Sequence, residues 1–322
     1  MKELNLLNII TQKLDDNSYL GNDCAYIDDL GIIVTQDTLV EDVHFSLYTT
    51  SPYLLGRKSI SVNLSDLAAA LATPKYVTVS ISLPNTIKDD FIENLYEGIN
   101  DICRENNIKV VGGDITGSEK VIISVCAIGK KEIKYISERN KAKKDDLVVV
   151  TGFFGSSSTG LYSLQNFLLC AETLKEKHLN PIARIKEANI LRDIITSDIA
   201  IMDASDGLAD SLYKIANASK HSIEIDYNKI PIDKEVKDFV KRNNLDIDNF
   251  VLWGGEDFEL VMCISEETYE KLDESLFKCI GRVINKDNNP NVILRNENNS
   301  IIINKETFEK KSYNHFGDCK ND

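Results

Sequence analysis

Six aspartates fall where the chain changes character: Asp23 in Gly21-Asn22-Asp23-Cys24-Ala25, Asp37 in Thr35-Gln36-Asp37, Asp66 in Asn63-Leu64-Ser65-Asp66-Leu67, Asp114 in Gly112-Gly113-Asp114, and Asp203 and Asp206 in Asp203-Ala204-Ser205-Asp206-Gly207. A single acid of this kind is more often a helix cap or a solvated loop residue than a ligand. Recurrence changes the chemistry, because in α/β folds ligands collect where strand ends meet loops. If the six converge, their repulsion raises their pKa values and works against folding unless cations lie among them. Magnesium answers that need: it takes oxygen ligands at roughly 2.0–2.1 Å, keeps several waters, and is shared between carboxylates and substrate phosphates. An acidic pocket loaded with several such ions binds polyanions.

Asp66 poses the problem most sharply. It lies in 61–74, a run of good helix formers with little else polar, and its helical neighbours three and four positions away are Val62, Asn63, Ala69 and Ala70, so no Lys or Arg is placed to pair with it. A carboxylate among Leu and Ala must be protonated, hydrogen-bonded or matched to a cation from elsewhere. Taken alone, it could equally cap a short helix starting at Leu67.

The elements that must carry these acids alternate between strand and helix. A turn at Gly21-Asn22-Asp23 leads into a short strand, and 30–37 is an apolar strand with Asp37 at its carboxyl end. Ser51-Pro52 has the cap-then-proline start of a helix that runs through Asp66 and stops at Thr73-Pro74. A strand at 76–83, an amphipathic helix over 88–106, a strand at 108–114 delivering Asp114 through a Gly-Gly turn, and a strand at 121–129 complete this half. The charge-rich stretch 130–146 places a domain boundary, dividing the chain into 1–138 and 139–322.

The second half opens with a strand at 147–152, a Gly/Ser loop at 153–160 and a helix from Leu161. The loop amides could cradle phosphate, but the Lys-Ser/Thr ending of a Walker A loop is absent, which favours a capped turn. A helical stretch at 181–195 follows, then a strand from Ile199 that ends on Asp203 and Asp206 before a helix to Ala218. Strands at 222–226, 259–264, 279–284 and 292–294 and helices at 234–242 and 266–276 fill the remainder.

Composition narrows the function classes. A chain of 322 residues with 43% hydrophobic and 27% charged residues has the balance of a soluble globular protein of about two domains. Its formal charge of -14, from 51 acids against 37 Lys and Arg, opposes non-specific binding to nucleic acid or an anionic membrane. The first ten residues lack the core and cleavage site of a signal peptide, and no stretch is apolar for long enough to span a bilayer, so the expected setting is cytoplasmic. The cysteines are scattered without a CxxC pair, which points to neither zinc nor a dithiol switch.

The motifs together resemble the thiamine-monophosphate kinases, of the ATP-binding superfamily that also holds aminoimidazole ribonucleotide synthetase and selenophosphate synthetase. The blocks are Gly21-Asn22-Asp23-Cys24-Ala25, Thr35-Gln36-Asp37-Thr38-Leu39-Val40 with His44-Phe45, Val62-Asn63-Leu64-Ser65-Asp66-Leu67-Ala68-Ala69, Gly112-Gly113-Asp114, Asp203-Ala204-Ser205-Asp206-Gly207-Leu208, Gly254-Gly255-Glu256-Asp257-Phe258-Glu259-Leu260 and Tyr313-Asn314-His315-Phe316. The resemblance implies a two-domain α/β (α+β) fold of the aminoimidazole ribonucleotide synthetase type, with mixed sheets flanked by helices and amino-terminal domains pairing in a homodimer. It implies transfer of the ATP γ-phosphoryl to the phosphate of thiamine monophosphate. Carried over by motif position, Asp23, Thr35, Asp37, Asp66, Asp114, Asp203 and Asp206 would bind magnesium. Gly113, Asp114, Arg139 and Ser205 would meet ATP, and His44, Glu256 and Tyr313 would face thiamine monophosphate. No covalent nucleophile is expected.

The chain departs from the family pattern in three places. Asn22 stands where the family has a first Asp, Gln36 where it has a second Thr, and Lys310 and Lys311 where some members carry a Trp before the terminal Tyr. Outside the resemblance, His44 could be a partly buried loop histidine, Glu256 a turn cap, and Trp253 a packing residue. Two other functions compete: another ATP-dependent enzyme of the superfamily, acting on a purine intermediate or selenide, or a non-catalytic magnesium–nucleotide sensor. Nothing before Gly21 offers the reactive Cys of a selenophosphate synthetase, and the context of Cys319 does not match a hydrogenase-maturation terminus.

Overall fold

The computed structural model describes residues 3–296 and 300–316, which leaves Cys319 outside the described residues. Helix α1 (Glu3–Lys13) is followed by β1 (Ala25–Ile27), β2 (Ile32–Val40), α2 (Pro52–Ala69), β3 (Thr73–Leu83), α3 (Asp89–Glu105), β4 (Lys109–Gly117) and β5 (Ile122–Lys130). Their strands form one sheet in the order β1-β2-β5-β3-β4, in which only β3 and β4 run parallel. After a 3-10 turn at Arg139–Lys141 come β6 (Leu147–Thr151), α4 (Ser156–Gln165), α5 (Glu172–Leu179), α6 (Ile185–Ile194), β7 (Ala200–Asp203), α7 (Leu208–Ser219) and β8 (His221–Asp226). The chain continues through α8 (Lys234–Arg242), α9 (Asp248–Val251), β9 (Leu260–Ile264), α10 (Glu266–Tyr269), β10 (Phe277–Lys286), β11 (Val292–Arg295), β12 (Ser300–Ile303) and α11 (Lys305–Lys311). These strands form a second mixed sheet, β12-β11-β8-β10-β6-β9-β7, so the fold is the α/β class anticipated. Among the described residues no helix is long and apolar enough to cross a membrane.

Helix α2 ties the two sheets together. Ser51 accepts the Leu54 N–H at 3.2 Å, and Pro52 sits in the first turn, where its missing N–H costs nothing. Leu55, Ile60, Leu64 and Leu67 pack with Val77, Val79, Ile123 and Val125 of the first sheet. Ala68, Ala69 and Leu71 pack instead with Leu147, Val149, Ile201 and Met262 of the second. A helix covered on both sides needs apolar residues nearly all round, which is why its sequence shows so little polar punctuation.

Several boundaries differ from those expected, each for a tertiary reason. Strand β2 runs on to Val40, so Asp37 lies within it, paired in register with Val125. Gly112-Gly113 is not a turn: both residues lie within β4, and a Cβ on Gly113 would come 1.8 Å from the Val79 carbonyl oxygen. The glycine permits β4 to approach β3 closely. Helix α4 begins at Ser156 rather than Leu161 because the Asp257 carboxylate accepts the Gly155 and Ser157 N–H groups at 2.7 and 3.0 Å. The Gly/Ser loop is therefore a capped turn whose anion is supplied by the protein itself. The helix at 266 ends at Tyr269, and α1, α5, α9, β12 and α11 are elements the sequence pattern does not single out.

Candidate phosphoryl-transfer site

Asp23 before β1, Asp66 in the last turn of α2 and Asp203 at the end of β7 each place a carboxylate oxygen within 4.8 Å of the others. Asp37 stands close enough to act on Asp66 and Asp203, and Asp206 close enough to act on Asp37. Burial first, then Asp23 and Asp206, pushes the Asp37 carboxyl up to about 6. Burial, followed by Asp203, Asp37 and Asp23, drives Asp66 well above the usual carboxylate range, and burial with Asp23 does the same to Asp203. Asp23, Asp66 and Asp203 thus come together, with Asp37 beside them and Asp206 next to Asp37. Asp66 is no N-cap, because α2 carries it as an interior residue.

Neutral hydroxyl donors from β2 and α2 hold the Asp66 and Asp203 carboxylates, and α2 also fixes the Asp37 backbone. Thr35 Oγ1 donates to Asp66 Oδ2 at 2.6 Å, Ser65 Oγ donates to Asp203 Oδ2 at 2.6 Å, and Asn63 Oδ1 accepts the Asp37 N–H at 3.0 Å. Among the described residues only two cations answer the charge directly. Arg139 Nη2 is paired with Asp23 Oδ1, and Lys214 Nζ lies 3.1 Å from Asp206 and 2.6 Å from Asp210. Burial opposes the charge on both bases, yet the surrounding acids outweigh it and raise both pKa values. Asp66 has a hydroxyl donor and no described cation partner. An under-neutralised set of carboxylates with a threonine hydroxyl among them is a hard, all-oxygen donor set, and magnesium fits it.

Asp114 stands apart. In register it pairs with Ser80, Ser80 with Ser124, and Ser124 with Thr38, so it shares the Ser/Thr-rich face of the first sheet. Asp37 shares the opposite face, with Val125, Val79 and Gly113 under α2. Within one chain, Asp114 therefore does not join the carboxylate centre.

The residues assigned to the acceptor gather two turns earlier along α2, around Lys58, whose ammonium meets Glu256 and lies 3.5 Å from the His44 carbonyl. Glu256 Oε2 is 2.9 Å from Lys58 Nζ and 3.0 Å from His178 Nδ1. Burial works against its ionisation, but Lys58 and His178 prevail and hold its pKa at about 2. His44 accepts the Val40 N–H on Nδ1 at 3.0 Å, and its ring lies 5.2 Å from that of His315, which in turn meets Tyr313 edge-on at 4.9 Å. Burial and His315 lower the His44 pKa. Trp253 packs beside the core of the second sheet with Lys311 over its ring, as a packing residue should.

The Glu256 N–H donates to the Ser205 carbonyl at 2.7 Å, and a Cβ on Gly255 would lie 2.6 Å from the same oxygen. The Gly254-Gly255-Glu256 turn thus rests directly on the loop carrying Asp203, Ser205 and Asp206. Sequence reasoning passed over Lys58, His178 and Lys214. The signal for Lys58 was available, since an ammonium within an apolar helix requires a partner.

The chain matches the family described as AIR synthase related protein, N-terminal domain, over residues 21–130. It is 34% identical to a thiamine-monophosphate kinase of Bacillus subtilis, with 98% of this chain and 100% of that protein covered. It is 36% identical to a thiamine-monophosphate kinase of Buchnera aphidicola from Acyrthosiphon pisum, with 95% of each covered. A solved structure of AaThiL complexed with AMPPCP and TMP superposes with a TM-score of 0.82 at 30% identity, covering 94% of this chain and 96% of that one.

Proposed function

The chain belongs to the thiamine-monophosphate kinase family, and from that premise we propose that it transfers the γ-phosphoryl group of ATP to the phosphate of thiamine monophosphate, releasing thiamine diphosphate and ADP. One observation carries the assignment: the turn bearing Glu256 is bonded to the loop bearing Asp203, Ser205 and Asp206, so an acceptor pocket and an acidic polyphosphate site adjoin. A nucleotide sensor has no use for the first.

Asp23, Asp66 and Asp203, with Thr35, Asp37 and Asp206, would hold the magnesium ions. Bound magnesium supplies charge neutralisation between two anions and a template for in-line transfer. The chain's own task is orientation. Thr35 and Ser65 aim the Asp66 and Asp203 carboxylates, and Arg139, beside Asp23, is assigned to the phosphates of ATP. Gly113 and Ser205 are assigned to the nucleotide, and His44, Glu256 and Tyr313 to the acceptor.

The acceptor phosphate has its second pKa near ~6 and is already an anion at neutral pH, so no general base is required. Its oxygen attacks the γ-phosphorus, the bond to the bridging oxygen of ADP breaks, and no side chain is phosphorylated on the way.

A homodimer belongs to the same proposal. Strand β4 is exposed along its whole length at the sheet edge, with Val111 55% and Ile115 72% exposed. A bare apolar edge of this kind favours pairing with another strand. Pairing there would let a second copy receive Asp114, assigned to magnesium and ATP, at its own carboxylate centre. The division at 138/139 accompanies this arrangement, with the five-stranded sheet before it and the seven-stranded sheet after it. A cytoplasmic setting agrees with the six free cysteines among the described residues.

Incubation with ATP, magnesium and thiamine monophosphate should yield thiamine diphosphate and ADP in equal amounts. ADP without thiamine diphosphate would overturn the assignment, and ATP binding without turnover would favour a sensor.

A further inference from the structure

Lys58 lies inside α2 with 3% of its surface exposed. An ammonium there is costly unless it is paired. Its partner comes from 198 positions further along: Glu256, whose Oε2 it meets at 2.9 Å. The same Oε2 takes a second donor, His178 Nδ1, at 3.0 Å. Burial and the nearby Lys58 charge lower the His178 pKa, so the neutral ring donates through Nδ1–H. Ser157 Oγ lies 3.2 Å from that nitrogen.

Two donors on one oxygen fix the plane of a carboxylate. Among the described residues no hydrogen bond engages Glu256 Oε1, while the side chain as a whole is 23% exposed. The backbone is fixed as well. Glu256 has φ +65 and donates its N–H to Ser205, an arrangement that leaves the turn little freedom to re-aim the side chain. The pair with Lys58 also offsets part of the Glu256 charge, which reduces its repulsion of an incoming phosphate while leaving Oε1 as an acceptor.

Resting on the kinase assignment above, we propose that Lys58 is a positioning residue of the acceptor site: with His178 it pins Glu256 Oε2 and thereby presents Oε1 to the amino group and cationic ring of thiamine monophosphate. Lys58 acts through Glu256 and need not touch the substrate.

The test is steady-state kinetics with ATP and thiamine monophosphate varied separately, on the wild type and on Lys58→Met, Lys58→Arg, His178→Gln, Glu256→Gln and the double variant Lys58→Met/Glu256→Gln, with thermal melts to verify folding. Lys58→Met should raise KM for thiamine monophosphate about tenfold to a hundredfold while KM for ATP and kcat stay within about twofold. Lys58→Arg should recover part of that loss, and His178→Gln should raise the same KM by less than Lys58→Met does. In the Glu256→Gln background, Lys58→Met should add less than about threefold, because no carboxylate remains to be positioned.

Equal losses toward both substrates, or full additivity in the double variant, would assign Lys58 to folding alone. If Lys58→Met does not fold, the comparison of the double variant with Glu256→Gln decides the question: equal KM values support the proposal, and a further large rise overturns it. A wild type that makes no thiamine diphosphate removes the kinase assignment itself. An active wild type whose Lys58→Met variant keeps its KM removes only the role of Lys58.

Discussion

Ser65 on α2 and Asp203 at the end of β7 are joined by a buried hydrogen bond of 2.6 Å. This bond links the helix behind the first sheet to the edge strand of the second, one residue from Asp66. Ser65 is fully buried, and among the described residues it is the one side-chain hydroxyl bonded to the Asp203 carboxylate, while Ser211 Oγ donates to the Asp203 backbone carbonyl at 3.1 Å. Ser65→Ala should destabilise the fold by about 1–3 kcal/mol, the range for leaving a buried polar group without its partner. Denaturant unfolding measures the loss. A magnesium titration followed by melting temperature should also show weaker metal stabilisation, because Asp203 is no longer aimed.

Asp66→Asn separates a ligand from a structural residue. Asp66 is held by Thr35, and its carboxylate is crowded by Asp203, Asp37 and Asp23. Replacing a carboxyl whose ionised form is disfavoured there should leave the metal-free protein folded and unfolding no earlier than wild type. Turnover should fall about a hundredfold or more, as expected for loss of a metal ligand. The rise in melting temperature given by magnesium with ATP should shrink in parallel. A variant with normal turnover would return Asp66 to a purely structural role.

What the sequence disclosed follows a physical division. The acids Asp23 and Asp203 could be nominated because they stand where a strand meets a turn, and Asp66 because it interrupts an apolar helical run; all of these signals, like the alternation of strands and helices, are local. The pairing of Lys58 with Glu256 was hidden, since 198 positions separate them and nothing near either residue names the other. The start of α4 depends on a carboxylate 102 positions away from Gly155. Gly112-Gly113 reads as a turn until β3 is placed beside it, where Gly113 becomes the condition for close strand approach. That one difference moves Asp114 from a strand end to a sheet face.

The position of Asp114 predicts complementation between two inactive proteins. Asp66→Asn and Asp114→Ala should each be inactive alone. If Asp114 serves the centre of a second copy, a mixed dimer contains one site with both defects and one with neither. Random exchange makes half the dimers mixed, so co-expression should restore about a quarter of wild-type activity. Size-exclusion chromatography should give a dimer throughout. No recovery from a mixture shown to contain mixed dimers would place Asp114 in its own chain's site.

Glu256 yields a pH prediction with a definite sign. Its folded pKa, held at about 2 by Lys58 and His178 against the opposing effect of burial, lies below the ordinary value of 4.5. For a lowered acid the contribution to stability is complete above the unfolded pKa and is lost as pH falls toward the folded one. The shift corresponds to roughly 3 kcal/mol at most. The informative quantity is the difference in unfolding free energy between wild type and Glu256→Gln, because the aspartates of the carboxylate centre titrate in both proteins and cancel. That difference should be level between pH 7 and pH 5 and shrink steadily from about pH 4.5 downward. A difference that stays constant to pH 3 would mean that the Lys58–Glu256 pair contributes no net ionic stabilisation, as exposed pairs often do not.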